Sequence, residues 1–160
     1  MSRIKELQTR VHGVLEEIGD NDRRAKAAAH LHAVAMAATM LAMKRGENAE
    51  LAAMAGLLHD LYAYASGSYD NHAELGADYA RALLDGMAVT TPAETEIICS
   101  AIRRHDSKAD VDAPMDEILK DADVLHHTLG DPTKAVKAHE QARFAALCAE
   151  LGLRQGIMNE

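Results

Sequence analysis

Histidine and aspartate side chains that interrupt apolar helical segments are the residues of this chain best suited to chemistry. His59 and Asp60 are adjacent and follow an apolar run, while His30 and Asp123 each interrupt another helical segment that should be core. A buried carboxylate without a partner is costly, and a metal ion is the simplest partner that histidines and aspartates share. The four residues therefore predict a buried metal site assembled from separate helices.

The elements that must position these residues are predicted to be helices. The apolar content is mostly Ala, Leu, Met and Ile, aromatic residues make up only 3%, and Trp is absent, a composition that favours helix packing over strands. We predict an all-α, compact single-domain helical bundle of about six to seven helices. The predicted helices cover about residues 3–18, 22–45, 49–61, 72–84, 92–105, 114–129 and 132–151, with a polar loop at 65–70.

Two helix ends have clear signals. Thr91, Pro92 and Glu94 form the pattern of an N-cap, a first helical residue and a capping box. Gly46 stands where a left-handed C-cap would end the second helix. The whole chain, residues 1–160, is predicted to be one domain with a core at about 22–130 and flanking helices at 3–18 and 132–151.

The net charge of −8 disfavours general nucleic-acid binding and membrane-surface binding, because an acidic surface repels phosphate groups. The sequence shows no signal peptide and no apolar stretch of membrane-spanning length, so we expect a cytoplasmic protein. Cys99 and Cys148 are far apart in apolar helical patterns and are predicted to be reduced core residues.

The combination of motifs resembles the HD-domain superfamily of metal-dependent phosphohydrolases, over about residues 27–129. The segments that carry the likeness are His30-x-x-x-Val34, Gly46, Ala55-Gly56-Leu57-Leu58-His59-Asp60 and Lys120-Asp121-Ala122-Asp123. His32 competes with His30 for the first ligand position. His30 is preferred because it has the His-x-x-x-Val context and a matching distance to His59.

The resemblance also implies a second metal position. Binuclear members, including a bacterial diadenosine tetraphosphate hydrolase group, carry two further histidines between the doublet and the last Asp, and His72 and His105 occupy similar contexts. The implied ligands are His30, His59, Asp60, His72, His105 and Asp123. They would hold one or two divalent ions, and the mixed His and carboxylate set suits iron, manganese or zinc without choosing among them.

The resemblance implies a phosphohydrolase that uses a metal-activated hydroxide to cleave a small phosphoester, most plausibly a nucleotide or related metabolite. It would be a phosphomonoesterase or a phosphodiesterase, with His59 and Asp60 as catalytic residues and Asp60 as the bridging ligand. The expected partner is a small phosphorylated molecule, and the sequence leaves room for a homodimer. Two other functions stay open, namely a di-iron HD-fold oxygenase and a non-catalytic sensor of metal or nucleotide.

Candidates for substrate contact are Lys108 and Arg104, with Arg103 as a weaker one. Asp121 is predicted to lie on the surface, because it is two residues from Asp123 and faces elsewhere. The remaining histidines are predicted to be uninvolved or supporting, with His126 and His127 near the rim of the site and His12 and His139 away from it.

Some family features are missing. No basic residue follows the doublet, unlike in the dinucleotide tetraphosphate group, and no Gly-Tyr-Pro signature is present, which disfavours a cyclic-di-GMP phosphodiesterase. The segment 62–70, which contains three of the four tyrosines, is a candidate lid.

Overall fold

The computed structural model describes residues 2–154, and no β-strand occurs within them. The all-α prediction is confirmed. The helices are α1 Arg3–Glu16, α2 Asn21–Arg45, α3 Ala49–Leu58, α4 Leu61–Ser66, α5 His72–Met87, α6 Pro92–Arg104, α7 Pro114–Leu129 and α8 Gln141–Leu151, with a 3₁₀ turn at Ala138–Glu140 before α8. Within the described residues, no helix is both long and apolar enough to cross a membrane.

Helices α2 and α3 pack closely against each other at a place where both carry small residues. A Cβ atom built on Gly56 would lie 2.5 Å from the Cα of Ala35, which is closer than real atoms approach. Ala38, Ala52 and Ala55 are buried in the same core. Glycine at position 56 therefore lets the α3 backbone lie directly against α2, one turn before the His59-Asp60 doublet.

The signals for helix ends that the sequence shows are confirmed. Thr91 and Glu94 form both hydrogen bonds of a capping box at the start of α6, and Gly46 ends α2 with a left-handed φ of 75°. The Asp20 side chain accepts a hydrogen bond from the Arg23 amide at the start of α2. These local interactions fix where the helices that carry the ligand candidates begin and end.

Two predicted elements differ from the structure. The predicted helix at 49–61 ends at Leu58, and the chain restarts as α4 after the doublet, so one predicted helix becomes two. The last predicted helix begins later than expected, because Asp131 accepts hydrogen bonds from the amide and hydroxyl of Thr133 and so stabilises a turn. The first half of the candidate lid at 62–70 is helical, because it belongs to α4, and its role as a lid stays a prediction.

The core is formed around α7, which packs against α2, α3, α6 and α8. Both cysteines are free and buried, as predicted. Helix α7 also buries four charged side chains, which are Asp116, Lys120, Asp121 and Asp123. A helix with that many buried charges needs partners for each of them, and those partners divide into two clusters on either side of α7.

Candidate metal centre

His30, His59, Asp60 and Asp123 converge in the interior from three directions. His30 projects from α2, the doublet from the junction of α3 and α4, and Asp123 from α7, and all four are buried. The Nε2 atoms of His30 and His59 are 2.9 Å apart. The Asp60 Oδ2 atom is 3.3 Å from His30 Nε2, and Asp123 Oδ1 is 3.7 Å from Nε2 of both His30 and His59.

A break in the helix lets two adjacent residues face one point. In a continuous α-helix, neighbouring side chains point about 100° apart. Here α3 ends at Leu58, and Asp60 has a φ of −111° and a ψ of 6°, outside the helical region. As a result, His59 Nε2 and Asp60 Oδ2 lie 3.6 Å apart on the same side of the chain.

His72 and His105 lie on the other side of the Asp60 carboxylate. His72 is the first residue of α5 and His105 follows the last residue of α6, and their Nε2 atoms are 3.6 Å and 3.3 Å from Asp60 Oδ1. The two oxygens of Asp60 therefore face different pairs of histidines. This is the arrangement that the predicted bridging role of Asp60 requires.

Hydrogen bonds at Nδ1 hold three of the histidine rings so that Nε2 faces the centre. The Nδ1 atoms of His59, His72 and His105 lie 2.9, 2.9 and 2.6 Å from the carbonyl oxygens of Gly56, Tyr69 and Ile102. Since a carbonyl only accepts, each Nδ1 carries the proton, so that in the neutral ring Nε2 presents a lone pair to the centre. Outer partners of this kind fix the tautomer of metal-binding histidines.

His30 is oriented by a different partner. Its Nδ1 atom is 2.8 Å from Nδ1 of His126, while its Nε2 faces the centre. Burial and the neighbouring His30 and His127 lower the pKa of His126 to about 4. A neutral His126 can accept the Nδ1 proton of His30, which leaves the Nε2 of His30 free for a metal.

The carboxylates of the centre are buried, ionised and incompletely bonded. Burial alone would raise the pKa of Asp60, but the neighbouring His59, His105 and His30 outweigh it and hold that pKa well below its usual range. The pKa of Asp123 is also lowered, because the neighbouring His59 and Lys108 outweigh its burial. Even so, Oδ1 of both aspartates lacks a well-aligned hydrogen-bond donor.

The spacing of these atoms fits metal coordination better than hydrogen bonding. Metal–ligand bonds of about 2.0–2.2 Å place neighbouring ligand atoms roughly 2.8–3.6 Å apart, close to the 3.3–3.7 Å between the histidine nitrogens and the carboxylate oxygens. Burial lowers the pKa of His59, which favours the neutral form that binds metals. Three overlapping groups of ligand atoms result, namely His30–His59–Asp60, Asp60–His72–His105 and His30–Asp123–His127. The donor set fits divalent metal binding.

The predicted substrate contacts are placed less directly. Lys108 is buried, and its Nζ donates to Asp123 Oδ2 at 2.6 Å and to the carbonyl of His105 at 2.6 Å. Arg104 is exposed and pairs with Asp112 at 2.9 Å, and Arg103 pairs with Glu74. Lys108 thus reaches the centre through Asp123, whereas the structure gives both arginines partners elsewhere.

Asp121 and His32 are two further residues for which the sequence made a prediction. Asp121 is buried rather than on the surface, because Arg45 and Arg143 bind its two oxygens at 2.7 and 2.8 Å. His32 lies outside the centre, with its Nε2 at 2.9 Å from that of His12. The geometry therefore agrees with the choice of His30 over His32.

Sequence reasoning missed the part played by α7 beyond Asp123. His127 was expected to have at most a supporting role, yet its Nε2 is 3.3 Å from Asp123 Oδ1. Its spacing of four residues from Asp123 was the signal that could have found it. Glu140, which contacts His127 at 2.9 Å, gave no such signal, because it comes from a separate segment of the chain.

Comparison with known proteins adds a family match. The family model described as HD domain matches residues 27–128, a span that contains all six predicted ligands. A crystal structure described as that of a predicted HD superfamily hydrolase from an uncultured Thermotogales bacterium has a similar fold, with a TM-score of 0.64 and 21% identity, covering 94% of this chain and 90% of that chain. No curated protein sequence matches the chain.

Proposed function

Because the chain belongs to the HD domain family, we propose that it is a metal-dependent phosphohydrolase that cleaves a small phosphoester, a nucleotide or a related metabolite. The observation that carries the proposal is the arrangement at Asp60, whose two buried oxygens face two different pairs of histidine Nε2 atoms. The similar Thermotogales protein is described as a predicted hydrolase, which supports the same class of reaction.

The residues of the centre divide the work of binding divalent ions. His30, His59 and Asp123 would hold one ion with Oδ2 of Asp60, and His72 and His105 would hold a second with Oδ1. Iron, manganese or zinc would suit this donor set. When bound, such ions supply an acidified water near neutral pH and polarise a phosphoryl oxygen. The protein keeps the Asp60 and Asp123 carboxylates ionised. It orients the histidine rings through hydrogen bonds at Nδ1.

Aromatic side chains beside the centre support a nucleotide substrate. The Tyr64 ring lies 6.0 Å from that of His30, and the Tyr69 ring lies 5.3 Å from that of His72. Tyr69 is 54% exposed, so its face is open to a planar ligand. A nucleobase stacked on Tyr69 would place its phosphates toward the histidines.

Arg23 is a basic residue that supports phosphate binding near the same aromatic pair. It lies two turns before His30 and hence on the same face of α2. Its guanidinium donates to the Tyr64 carbonyl and lies close to Gly67, so it fastens the end of α4. Because the net charge is −8, a local cation of this kind is needed to attract an anionic substrate.

The experiment that tests the proposal is hydrolysis of a panel of substrates by protein reloaded with Mn²⁺, Fe²⁺ or Zn²⁺, with the products separated by chromatography, because diesters and polyphosphates can be cleaved without release of inorganic phosphate. The panel holds nucleoside monophosphates, dinucleoside polyphosphates, cyclic nucleotides and simple phosphomonoesters. Preference for diadenosine tetraphosphate would place the protein with that hydrolase group. Turnover that is lost with a chelator and restored by metal is the expected result, and metal binding without hydrolysis of any substrate in the panel would contradict the proposal.

A further inference from the structure

His127 stands at the edge of the centre with one ring nitrogen facing it. It follows Asp123 by one turn of α7, and its Nε2 is 3.3 Å from Asp123 Oδ1. That oxygen is buried and lacks a well-aligned donor. His30, Asp123 and His127 each offer a ligand atom within 4.8 Å of the others, so His127 shares the geometry of the six predicted ligands.

The other nitrogen of His127 is held by a buried carboxylate. Nδ1 is 2.9 Å from Oε1 of Glu140, which is only 1% exposed and belongs to the 3₁₀ turn at Ala138–Glu140. Lys137 Nζ is 3.2 Å from the same Nδ1. An ammonium only donates, so an Nδ1 that carries a proton bonds to Glu140 and not to Lys137. Lys137 Nζ also lies 3.6 Å from Oε1 of Glu140.

The orientation of His127 repeats that of His59, His72 and His105. In each case Nδ1 faces an acceptor outside the centre and Nε2 faces a carboxylate oxygen inside it. The acceptor for His127 is a carboxylate rather than a backbone carbonyl. A carboxylate behind a histidine raises the basicity of the ring and is a recurrent outer partner of metal ligands.

We propose that His127 is a further metal ligand, binding through Nε2 the ion that His30 and Asp123 hold, and that Glu140 is the residue that positions it. This inference rests on the proposed metal centre and extends it to the segment before α8. It also explains why the Glu140 carboxylate is buried on a short turn, because an isolated ion pair at the surface would contribute little to stability.

The alternative is a purely structural role, in which a charged His127 links Asp123 and Glu140 without touching an ion. Such a histidine would stabilise the metal-free protein and leave metal affinity unchanged. A second alternative is contact with substrate, which would change KM and leave the metal unchanged. The three roles therefore give different results in measurements of metal binding, stability and kinetics.

The test compares His127→Gln and Glu140→Gln with the control His139→Gln, which alters an exposed histidine beside Glu140. Apo protein is titrated with Co²⁺, and the dissociation constant and the visible absorption of the bound ion are recorded. Outer-partner substitutions cost about 10- to 100-fold in metal affinity, so we expect at least a tenfold loss in both variants and none in the control. His127→Gln should also change the Co²⁺ absorption, because one nitrogen ligand is lost.

An unchanged Co²⁺ affinity together with an unchanged Co²⁺ spectrum in His127→Gln would overturn the inference. A change in the melting temperature or in KM alone would not rescue it. Circular dichroism of each variant confirms folding, and the near-isosteric Glu140→Gln preserves the test if His127→Gln fails to fold. The proposed function can fail separately. If the wild-type protein binds Co²⁺ more tightly than His127→Gln but hydrolyses none of the phosphoesters in the panel, hydrolysis is refuted and the ligand assignment stands.

Discussion

Two aspartates on α7, two residues apart, are equally buried but have opposite surroundings. Asp121 is 6% exposed and Asp123 is 4% exposed. Asp121 is bound on both oxygens by arginines from α2 and α8, which also bind Glu150 and Glu117. Asp123 is bound by Lys108 on one oxygen only and faces histidine nitrogens with the other. Burial alone therefore does not identify a functional carboxylate.

The difference shows how to separate a structural charge from a metal ligand. Around Asp121, permanent cations satisfy every oxygen, so the cluster is complete without any added ion. Around Asp60 and Asp123, the partners are mostly histidines that are ordinarily neutral near pH 7, and one oxygen of each carboxylate lacks a well-aligned donor. An incomplete set of donors with compatible spacing is what a divalent ion would complete.

The largest expected effect comes from Asp60→Asn, which removes the charge that faces both pairs of histidines. We expect loss of bound metal and of hydrolysis, and a smaller fall in the melting temperature of the metal-free variant, because the ionised Asp60 with its lowered pKa also stabilises the fold. Inductively coupled plasma mass spectrometry, substrate hydrolysis and thermal melts measure bound metal, activity and melting temperature. Full activity in this variant would show that hydrolysis does not need the Asp60 carboxylate.

Asp121→Ala should have the converse effect on the other side of α7. Breaking a buried ion pair costs about 3–5 kcal/mol, and we expect about 3 kcal/mol, since Arg45 and Arg143 retain Glu150 and Glu117 as partners. Metal affinity of the folded variant should not change. Urea unfolding and Co²⁺ titration check both points, and a large loss of affinity at full stability would contradict the separation of the two clusters.

Gly56→Ala should lower both the stability of the fold and the metal affinity. The added Cβ would lie 2.5 Å from the Cα of Ala35, so α3 must move away from α2 and carry His59 with it. Overpacking of this kind costs about 1–3 kcal/mol, and metal affinity should fall as well. Gly13→Ala is the matched control, because its Cβ meets nothing within 4 Å in α1. That variant should gain about 0.5–1 kcal/mol.

The smallest effect is expected at Glu94, an arginine-paired carboxylate at the surface. A hydrogen bond from Arg3 and the Thr91 amide lower its pKa to about 2 from 4.5. A lowered pKa stabilises the fold above the unfolded value, and that stability is lost as the pH falls from 4.5 toward 2. Glu94→Gln should flatten this part of the stability curve in urea unfolding at several pH values, without changing metal affinity.

The sequence predicted the helical fold and six of the residues whose ligand atoms converge at the centre, but neither the position of His127 beside Asp123 nor Glu140 behind it. His30, the doublet and Asp123 could be found because polar residues that interrupt apolar helical periodicity need partners. The capping box at Thr91 and the glycine at 46 were readable because their chemistry is local. The predicted roles of the ligands, of Lys108 and of Arg104 stay predictions.

The missed features depend on contacts between distant segments. Nothing local distinguishes Asp121 from Asp123, since the arginines that bind Asp121 lie 76 positions earlier and 22 later, at Arg45 and Arg143. The helix break at Asp60 was missed because its segment carries no proline or glycine after the doublet. Glu140 was missed for the same reason as Asp121, because its partner is on another element.

The most direct test of the proposed metal centre is the metal content of the wild-type protein, measured together with hydrolysis of the substrate panel on the same preparation. We predict about two divalent ions per chain and turnover that depends on them, since two histidine pairs share the Asp60 carboxylate. A folded protein that takes up no divalent metal at neutral pH would contradict the account, because the buried carboxylate oxygens at Asp60 and Asp123 would then have no function.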